Sequence, residues 1–244
     1  MSLVRVERDG AVAVIRLDRD EKLNALSTAL ERELQSALRG DEVRASRAVV
    51  VVGNGRAFSA GADIGEFADR DPEAILRYYR ETGGVYEELA SLAQPTIAAI
   101  RGYCLGGGLE LALAADLRVA DPTAVLGFPE VGIGIVPSSG GTVRATRLLG
   151  AARAKRLVLL GERLSAEDAL AAGLVGEIAP DAHARALELA HRLAELPPAA
   201  VAVAKAAIDA AAESSRDAGL LIERLAYGLL AQTPEARGAA EGFR

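Results

Sequence analysis

The sequence predicts an α/β fold with largely parallel strands, and three features carry that reading. Two short β-branched, apolar runs, at 48–52 and 96–100, end in glycine-bearing turns as buried strands do. Strand-like and helix-like stretches alternate as far as Ala179. From Ala182 onward the pattern is helical, with no further strand to pair.

Taken in order, Leu3, Val4 and Val6 precede Asp9-Gly10, and Val12, Val14, Ile15 and Leu17 follow it, which marks a β-hairpin. Leu26, Leu30, Leu34 and Leu38 recur at helical spacing behind Ser27, a residue suited to an N-cap, with charges on the other face. The strand at 48–52 runs into Gly53-Asn54-Gly55. A helix is predicted over 72–92, with Pro72 in its first turn. The strand at 96–100 is closed by Arg101-Gly102, and Gly106-Gly107-Gly108 then feeds an apolar helix through 109–115. Residues 117–120 read as a strand, Asp121-Pro122 as a turn, 127–137 as a loop and 139–149 as a helix. The stretch 151–230 is mostly helical, with a strand-like break at 174–179. The chain therefore divides into an α/β core over 1–181 and a helical region over 182–244. That region fits packing against this core or against a neighbouring chain.

Composition narrows the functional classes. With 244 residues, half of them apolar and a quarter charged, the chain can bury a full core, and disorder is excluded as its main state. A balance of 28 Lys plus Arg against 34 Asp plus Glu gives −6, and aromatics make up 4 % with no Trp, so no nucleic-acid partner is expected. Cys104, the single cysteine, rules out a disulfide framework and reads as a small packed residue. His183 and His191 lie eight apart without a carboxylate–His ligand pattern, so no metal is expected. Arg5, Glu7, Arg8 and Asp9 interrupt the alternating start, and the apolar run at 109–115 is far short of a bilayer. A cytoplasmic protein with no membrane segment is expected.

Chemistry concentrates in three glycine-bearing segments: Phe58-Ser59-Ala60-Gly61-Ala62-Asp63, Gly102 through Glu110, and Phe128-Pro129-Glu130 through Pro137. Two of them follow buried strands, where open α/β sheets bind ligands. The triple glycine has neither Rossmann spacing nor the Lys-Ser/Thr of a P-loop; it leaves amides open to a ligand or lets a helix pack closely. Glu110 favours the first option, because a carboxylate in the first turn of an otherwise apolar helix sits beside unpaired amides. An amide aimed at a carbonyl with a carboxylate nearby is what enolate or oxyanion chemistry needs. Glu130 alone reads as a solvated loop acid after proline. Asp63 is expected to fix its loop through backbone hydrogen bonds. Ser138 and Ser139 do not form a nucleophile elbow.

The hairpin, Lys22-Leu23-Asn24-Ala25-Leu26, Ala60-Gly61-Ala62-Asp63, the triple glycine and Pro129-Glu130 stand in one order and spacing across nearly the whole chain. In this the sequence resembles the crotonase family of enoyl-CoA hydratases and isomerases. The resemblance implies a spiral of ββα units followed by a C-terminal helical region that mediates trimerisation, giving a homotrimer or a dimer of trimers. It implies an acyl-CoA thioester substrate, with coenzyme A part of the substrate and no separate cofactor. The thioester oxygen is expected between the amides of Ala60 and Gly107. Glu110 and Glu130 match the two glutamates of the hydratases: Glu130 the residue that protonates the α-carbon, Glu110 the one that activates water. Syn addition of water to a 2-enoyl-CoA is the implied reaction, with Δ3,Δ2-isomerisation or another thioester-enolate reaction as the alternative.

By the same resemblance Ala60, Gly61, Ala62, Asp63 and Ile64 line the adenine and pantetheine, and Lys22 meets the CoA phosphates. Arg56 is a second phosphate candidate that reads equally as a surface cation. Two departures stand out. Pro137-Ser138-Ser139-Gly140-Gly141-Thr142-Val143-Arg144-Ala145 replaces the common Pro-Gly-Ala-Gly-Gly-Thr-Gln-Arg-Leu. Ser138 is expected to keep an amide for Glu130 while adding bulk beside the water. Phe128 replaces a common Gln.

Overall fold

A computed structural model describes residues 2–66, 71–81 and 83–242. Strands β1 (Val4–Asp9) and β2 (Val12–Leu17) form the predicted hairpin, with Val4 opposite Leu17 and Gly10 in the left-handed region at φ 57°. After a 3-10 turn (Asp20–Lys22), helix α1 (Thr28–Leu38) begins where Ser27 Oγ accepts the Leu30 amide at 3.2 Å. A short α2 (Asp41–Arg44) leads to β3 (Ala48–Gly53) and β4 (Ala57–Ser59).

The single helix predicted over 72–92 is two, α3 (Pro72–Glu81) and α4 (Val85–Ala90). The chain turns at Gly83-Gly84, with the Gly83 amide closing on Tyr78 O at 3.0 Å. Apolar periodicity continues across the break, but each glycine costs a helix about 1 kcal/mol relative to alanine.

Next come β5 (Thr96–Ile100), β6 (Tyr103–Leu105), α5 (Gly107–Ala114), β7 (Leu117–Ala120) and β8 (Val125–Gly127). Within the segment expected to be loop, residues Glu130–Ile133 form a 3-10 turn. Helix α6 (Gly141–Leu159) begins two residues later than predicted and is interrupted at Gly150, φ 75° and ψ 157°. Then follow β9 (Arg163–Ser165), α7 (Ala166–Ala172), β10 (Glu177–Ile178), α8 (Ala182–Glu195), α9 (Pro198–Glu213), α10 (Arg216–Leu230) and α11 (Pro234–Gly242).

Two sheets organise the core. The larger has the order β1-β2-β3-β5-β7-β10, parallel from β2 onward; the smaller has the order β4-β6-β8-β9, with only β9 antiparallel. Each of the pairs β3/β4, β5/β6 and β7/β8 gives one strand to each sheet before the chain turns into helix. This is the spiral of ββα units. The strands of the second sheet carry no sequence pattern because each is three residues long, and β6 and β8 also adjoin or contain glycine. The neighbouring strand holds them extended, since three residues carry little propensity of their own.

Burial on both faces explains the unbroken apolar run of β3. Val49 and Val51 point into the core shared with α1 and α5, while Val50 and Val52 point to the other face. That face is covered by α8, whose Ala182, Ala186 and Ala190 recur every four residues and let the helix lie close to the strands. The helical region from Ala182 thus begins as a cover for the sheet. Helices α9 and α10 pack on each other and leave Ile208, Leu221, Leu225, Tyr227 and Leu229 exposed.

Asn24, fully buried, ties the first loop to the start of the spiral. It holds a left-handed φ of 53°, accepts the Arg19 amide at 2.8 Å, and donates to Asn54 O at 2.9 Å and Ala57 O at 2.8 Å. Asn24→Ala removes the partner of three backbone groups, of which Ala57 O is buried, and a buried group left unpaired costs about 1–3 kcal/mol. Urea unfolding is expected to show a loss of about 2–4 kcal/mol with an unchanged m-value.

Candidate active site

The site forms where the second sheet hands its strands to helices. Strand β6 ends at Leu105, and Gly106 turns the chain into α5 with φ 52° and ψ −126°, a conformation that glycine alone tolerates. A Cβ at Gly106 would also lie 2.9 Å from Glu130 Oε1, so the absent side chain leaves room for that carboxylate. Gly61, at the end of β4, packs against the same turn: a Cβ there would sit 3.5 Å from Gly107 N. A Cβ on Gly107 would lie 3.4 Å from Ala62 N. The segments carrying Gly61-Ala62, Gly106-Gly107 and Glu130 therefore converge.

The expected amide pair needs one correction. The Ala60 amide donates to Leu23 O at 2.9 Å and is already committed. Its donor role is structural: it clips the left-handed Leu23-Asn24 turn to the end of β4. The Gly61 amide is engaged by Ser59 Oγ at 3.2 Å, and the Asp63 amide by Leu26 O at 2.9 Å. Among the described residues no acceptor takes the amides of Ala62 or Gly107. Ala62, two residues beyond Ala60, is the one that adjoins Gly107. Sequence spacing cannot register this difference, because it depends on where the Leu23 carbonyl falls.

Glu110 lies in the first turn of α5, 3 % exposed. Its Oε1 accepts the Ser139 amide at 2.6 Å and the Gly141 amide at 2.8 Å, at the start of α6. Gly141 is required here, since a Cβ would meet Glu110 Oε1 and Phe128 Cε1 at 2.9 Å each. Burial raises the Glu110 pKa, opposed by the amides of Gly141, Ser139 and Ser138 and by the Arg144 charge. The Ser138 amide thus serves Glu110, where the sequence reading assigned it to Glu130. Phe128, fully buried, closes the space behind the α6 start and belongs to the core.

Glu130, 8 % exposed, differs in having a buried Oε2 with no hydrogen-bond partner. Burial raises its pKa to about 7, with the Glu110 charge adding to the effect. The solvated-loop reading of Glu130 does not hold. The two carboxylates interact electrostatically, and because Glu110 is held by amides while Glu130 Oε2 has no partner, Glu130 keeps its proton up to about pH 7.

The remaining expected residues lie at the rim. Lys22 is exposed at the end of the 3-10 turn, one residue before the Leu23 that holds Ala60. Ile64 is 59 % exposed and Ala62 exposed. Asp63 fixes its loop through an ion pair with Arg19 at 2.8 Å, where backbone hydrogen bonds were expected. Arg56 is exposed, its amide 3.3 Å from Asp20 Oδ1. Cys104 is buried in the core. Among the described residues no cluster of three His, Cys, Asp or Glu side chains is arranged for a metal, and no helix is long and apolar enough to cross a membrane.

One buried acid was missed. Glu31, 1 % exposed, falls beside the leucine stripe of α1 and accepts the phenols of Tyr78, at 2.7 and 2.5 Å, and Tyr86, at 2.9 Å. Tyr86 Oη in turn lies 3.3 Å from the Cβ position of Gly107. Nothing at helical spacing around Glu31 announces partners 47 and 55 residues away.

A two-sheet ββα spiral in which two buried carboxylates, Glu110 and Glu130, interact electrostatically beside converging glycine segments is the class of fold and site seen here. The chain belongs to the enoyl-CoA hydratase/isomerase family, whose model matches residues 7–243. It is 38 % identical to the 2,3-dehydroadipyl-CoA hydratase of Escherichia coli, covering all of this chain and 96 % of that one. It is 34 % identical to the short-chain-enoyl-CoA hydratase of Clostridium acetobutylicum, over 98 % and 94 %. The solved enoyl-CoA hydratase of Thermoplasma volcanium superposes with a TM-score of 0.94 at 34 % identity, covering 100 % of this chain and 98 % of that one.

The Glu130 environment has a stability consequence. A carboxyl whose folded pKa is about 7 against an ordinary 4.5 binds more protons folded than unfolded between those values, so stability falls as pH rises through that window. Glu130→Gln removes this dependence. Thermal unfolding is expected to show a higher Tm for the variant at pH 8 and no gain at pH 4.

Proposed function

We propose that the protein is an enoyl-CoA hydratase that adds water reversibly to a 2-enoyl-CoA thioester through an enolate. The observation that carries this reading is that Glu110, held by amides, interacts electrostatically with Glu130, whose Oε2 is unpartnered and whose pKa is raised to about 7, and that the Glu130 segment converges with the free amides of Ala62 and Gly107. The thioester oxygen accepts those two amides. Glu110 takes a proton from the water whose oxygen bonds to the β-carbon, and the π electrons move onto the thioester oxygen. Glu130 then delivers its proton to the α-carbon, giving the 3-hydroxyacyl thioester. Amides fixed before reaction cost no reorganisation when the enolate charge develops, and removal of one such donor is worth about 3 kcal/mol.

The rim segment from Gly61 to Ile64, together with Ala60, is the proposed bed for the adenine and pantetheine, with Lys22, and Arg56 as a second candidate, for the phosphates. Coenzyme A enters as part of the substrate, with no separate cofactor or metal. The exposed apolar residues of α9 and α10 support assembly of this chain with copies of itself as a trimer or a dimer of trimers. A cytoplasmic setting fits the chain's composition.

Crotonyl-CoA is expected to lose its conjugated absorbance on addition of the protein. Glu110→Gln and Glu130→Gln should each lower kcat by about 10²- to 10⁴-fold. Full hydration by either variant would remove the two-carboxylate mechanism, and conversion of a 3-enoyl-CoA to the 2-enoyl product without a 3-hydroxy species would favour isomerisation. The kcat/KM profile should fall on its alkaline side near pH 7, as free-enzyme Glu130 loses its proton. Sedimentation equilibrium should give a mass that is a multiple of three chains.

A further inference from the structure

The Ser139 amide is the shortest contact Glu110 makes with the start of α6, and the opposite end of that residue is held as well. Arg144, one turn into α6, donates from Nη1 to Ser139 O at 3.0 Å and from Nη2 to Glu87 Oε1, on α4, at 2.6 Å. Its side chain is 16 % exposed, against 69 % for Glu87, so the guanidinium is built into the loop while its carboxylate partner is largely solvated. Gly140 makes this approach possible: at φ 99° it presents no side chain, and a Cβ there would overlap Arg144 Nη1. On the other side of the loop the Tyr79 phenol reaches Ser138 Oγ. The two residues preceding Gly140 are thus gripped from α6 and from α3.

We propose that Arg144 is the positioning residue for Glu110: by fixing the Ser139 carbonyl it aims the Ser139 amide at the carboxylate that activates water. This deepens the hydratase reading and rests on it. The hydrogen bonds of Arg144 go to Ser139 O and Glu87 Oε1, not to the Glu110 carboxylate itself. A second effect acts through space, since its positive charge favours ionised Glu110. Among the described residues, Glu130 from the 3-10 turn, Tyr78 from α3 and Tyr86 from α4 also bear on Glu110, and none of these three is cationic. Arg144 also lines a crevice of about 1040 Å³ between α9 and the α5–α6 body, so a small cation can reach its place.

Arg144→Met, Arg144→Ala and Glu87→Gln test this. In Arg144→Met, kcat for crotonyl-CoA should fall about 10- to 100-fold with KM changed less than about threefold. The acid limb of its pH profile should move to higher pH, because Glu110 loses its nearby cation. Added guanidinium ion should restore part of the activity of Arg144→Ala and return the limb toward its original place. Glu87→Gln, which leaves the bond to Ser139, should keep the limb where it was. A folded Arg144→Met enzyme with the wild-type limb overturns the proposal, as does an Arg144→Ala enzyme that guanidinium leaves unchanged. The infrared carboxylate band that disappears in Glu110→Gln titrates without substrate. An unmoved band in Arg144→Met therefore refutes the positioning role even if crotonyl-CoA is not hydrated, while a moved band in an enzyme inert toward crotonyl-CoA refutes only the hydratase reading.

Discussion

Burying an ionisable carboxylate in an apolar helix is the constraint on which the rest of this site depends. Glu110 sits in α5 among residues that are all buried, and an uncompensated charge there would be neutralised or would unfold the helix. Compensation comes from backbone: two amides at the start of α6 converge on one oxygen. Those amides converge only if α6 begins at a residue without a side chain, if the loop before it is held in place, and if the space behind is filled. Gly141, Arg144 and Phe128 meet these three needs in turn. Backbone amides stay aimed during the reaction, which a flexible side-chain donor does not guarantee.

Glu130 shows the opposite choice. It sits where Gly106 leaves a gap, and its Oε2 is left without a partner. A buried polar atom without a partner is unfavourable for folding, and the fold carries that cost at a carboxyl whose pKa is raised to about 7. The two acids are chemically identical, so the difference in how their oxygens are hydrogen-bonded follows from the loops around them.

The large features were legible in the sequence for local reasons. The D-G hairpin, the Ser27 cap, the apolar run of β3 and the glycine turn into α5 each express a short-range rule, and each lies where expected. Glu110 was legible because a glycine turn marks its helix start, whereas Glu130 read locally as a loop acid and stood out only through the family resemblance. What was not legible depends on contacts between distant segments. The split of 72–92 follows from two glycines outweighing apolar periodicity, and the second sheet consists of strands too short to carry a pattern. The choice between Ala60 and Ala62 turns on a carbonyl 37 positions before Ala60. Glu31 lies on the edge of a leucine stripe, and only the fold brings two tyrosines to it.

The spiral itself explains why these long-range contacts meet at one place. Every unit crosses from the large sheet to the small one before turning into helix, so the ends of β4, β6 and β8 lie side by side at the edge of the small sheet. Each end then supplies a different element: β4 a free amide, β6 a second amide and Glu110, and β8 the turn that bears Glu130. Parallel pairing fixes these ends relative to one another, with Ser59 opposite Cys104 and Cys104 opposite Leu126, so their spacing is set by strand register. A one-residue slip in β6 would move Gly107 away from Ala62 and turn its buried face outward together. The register that keeps the core dry is therefore the same one that keeps the two amides adjacent, and core packing protects the site geometry directly.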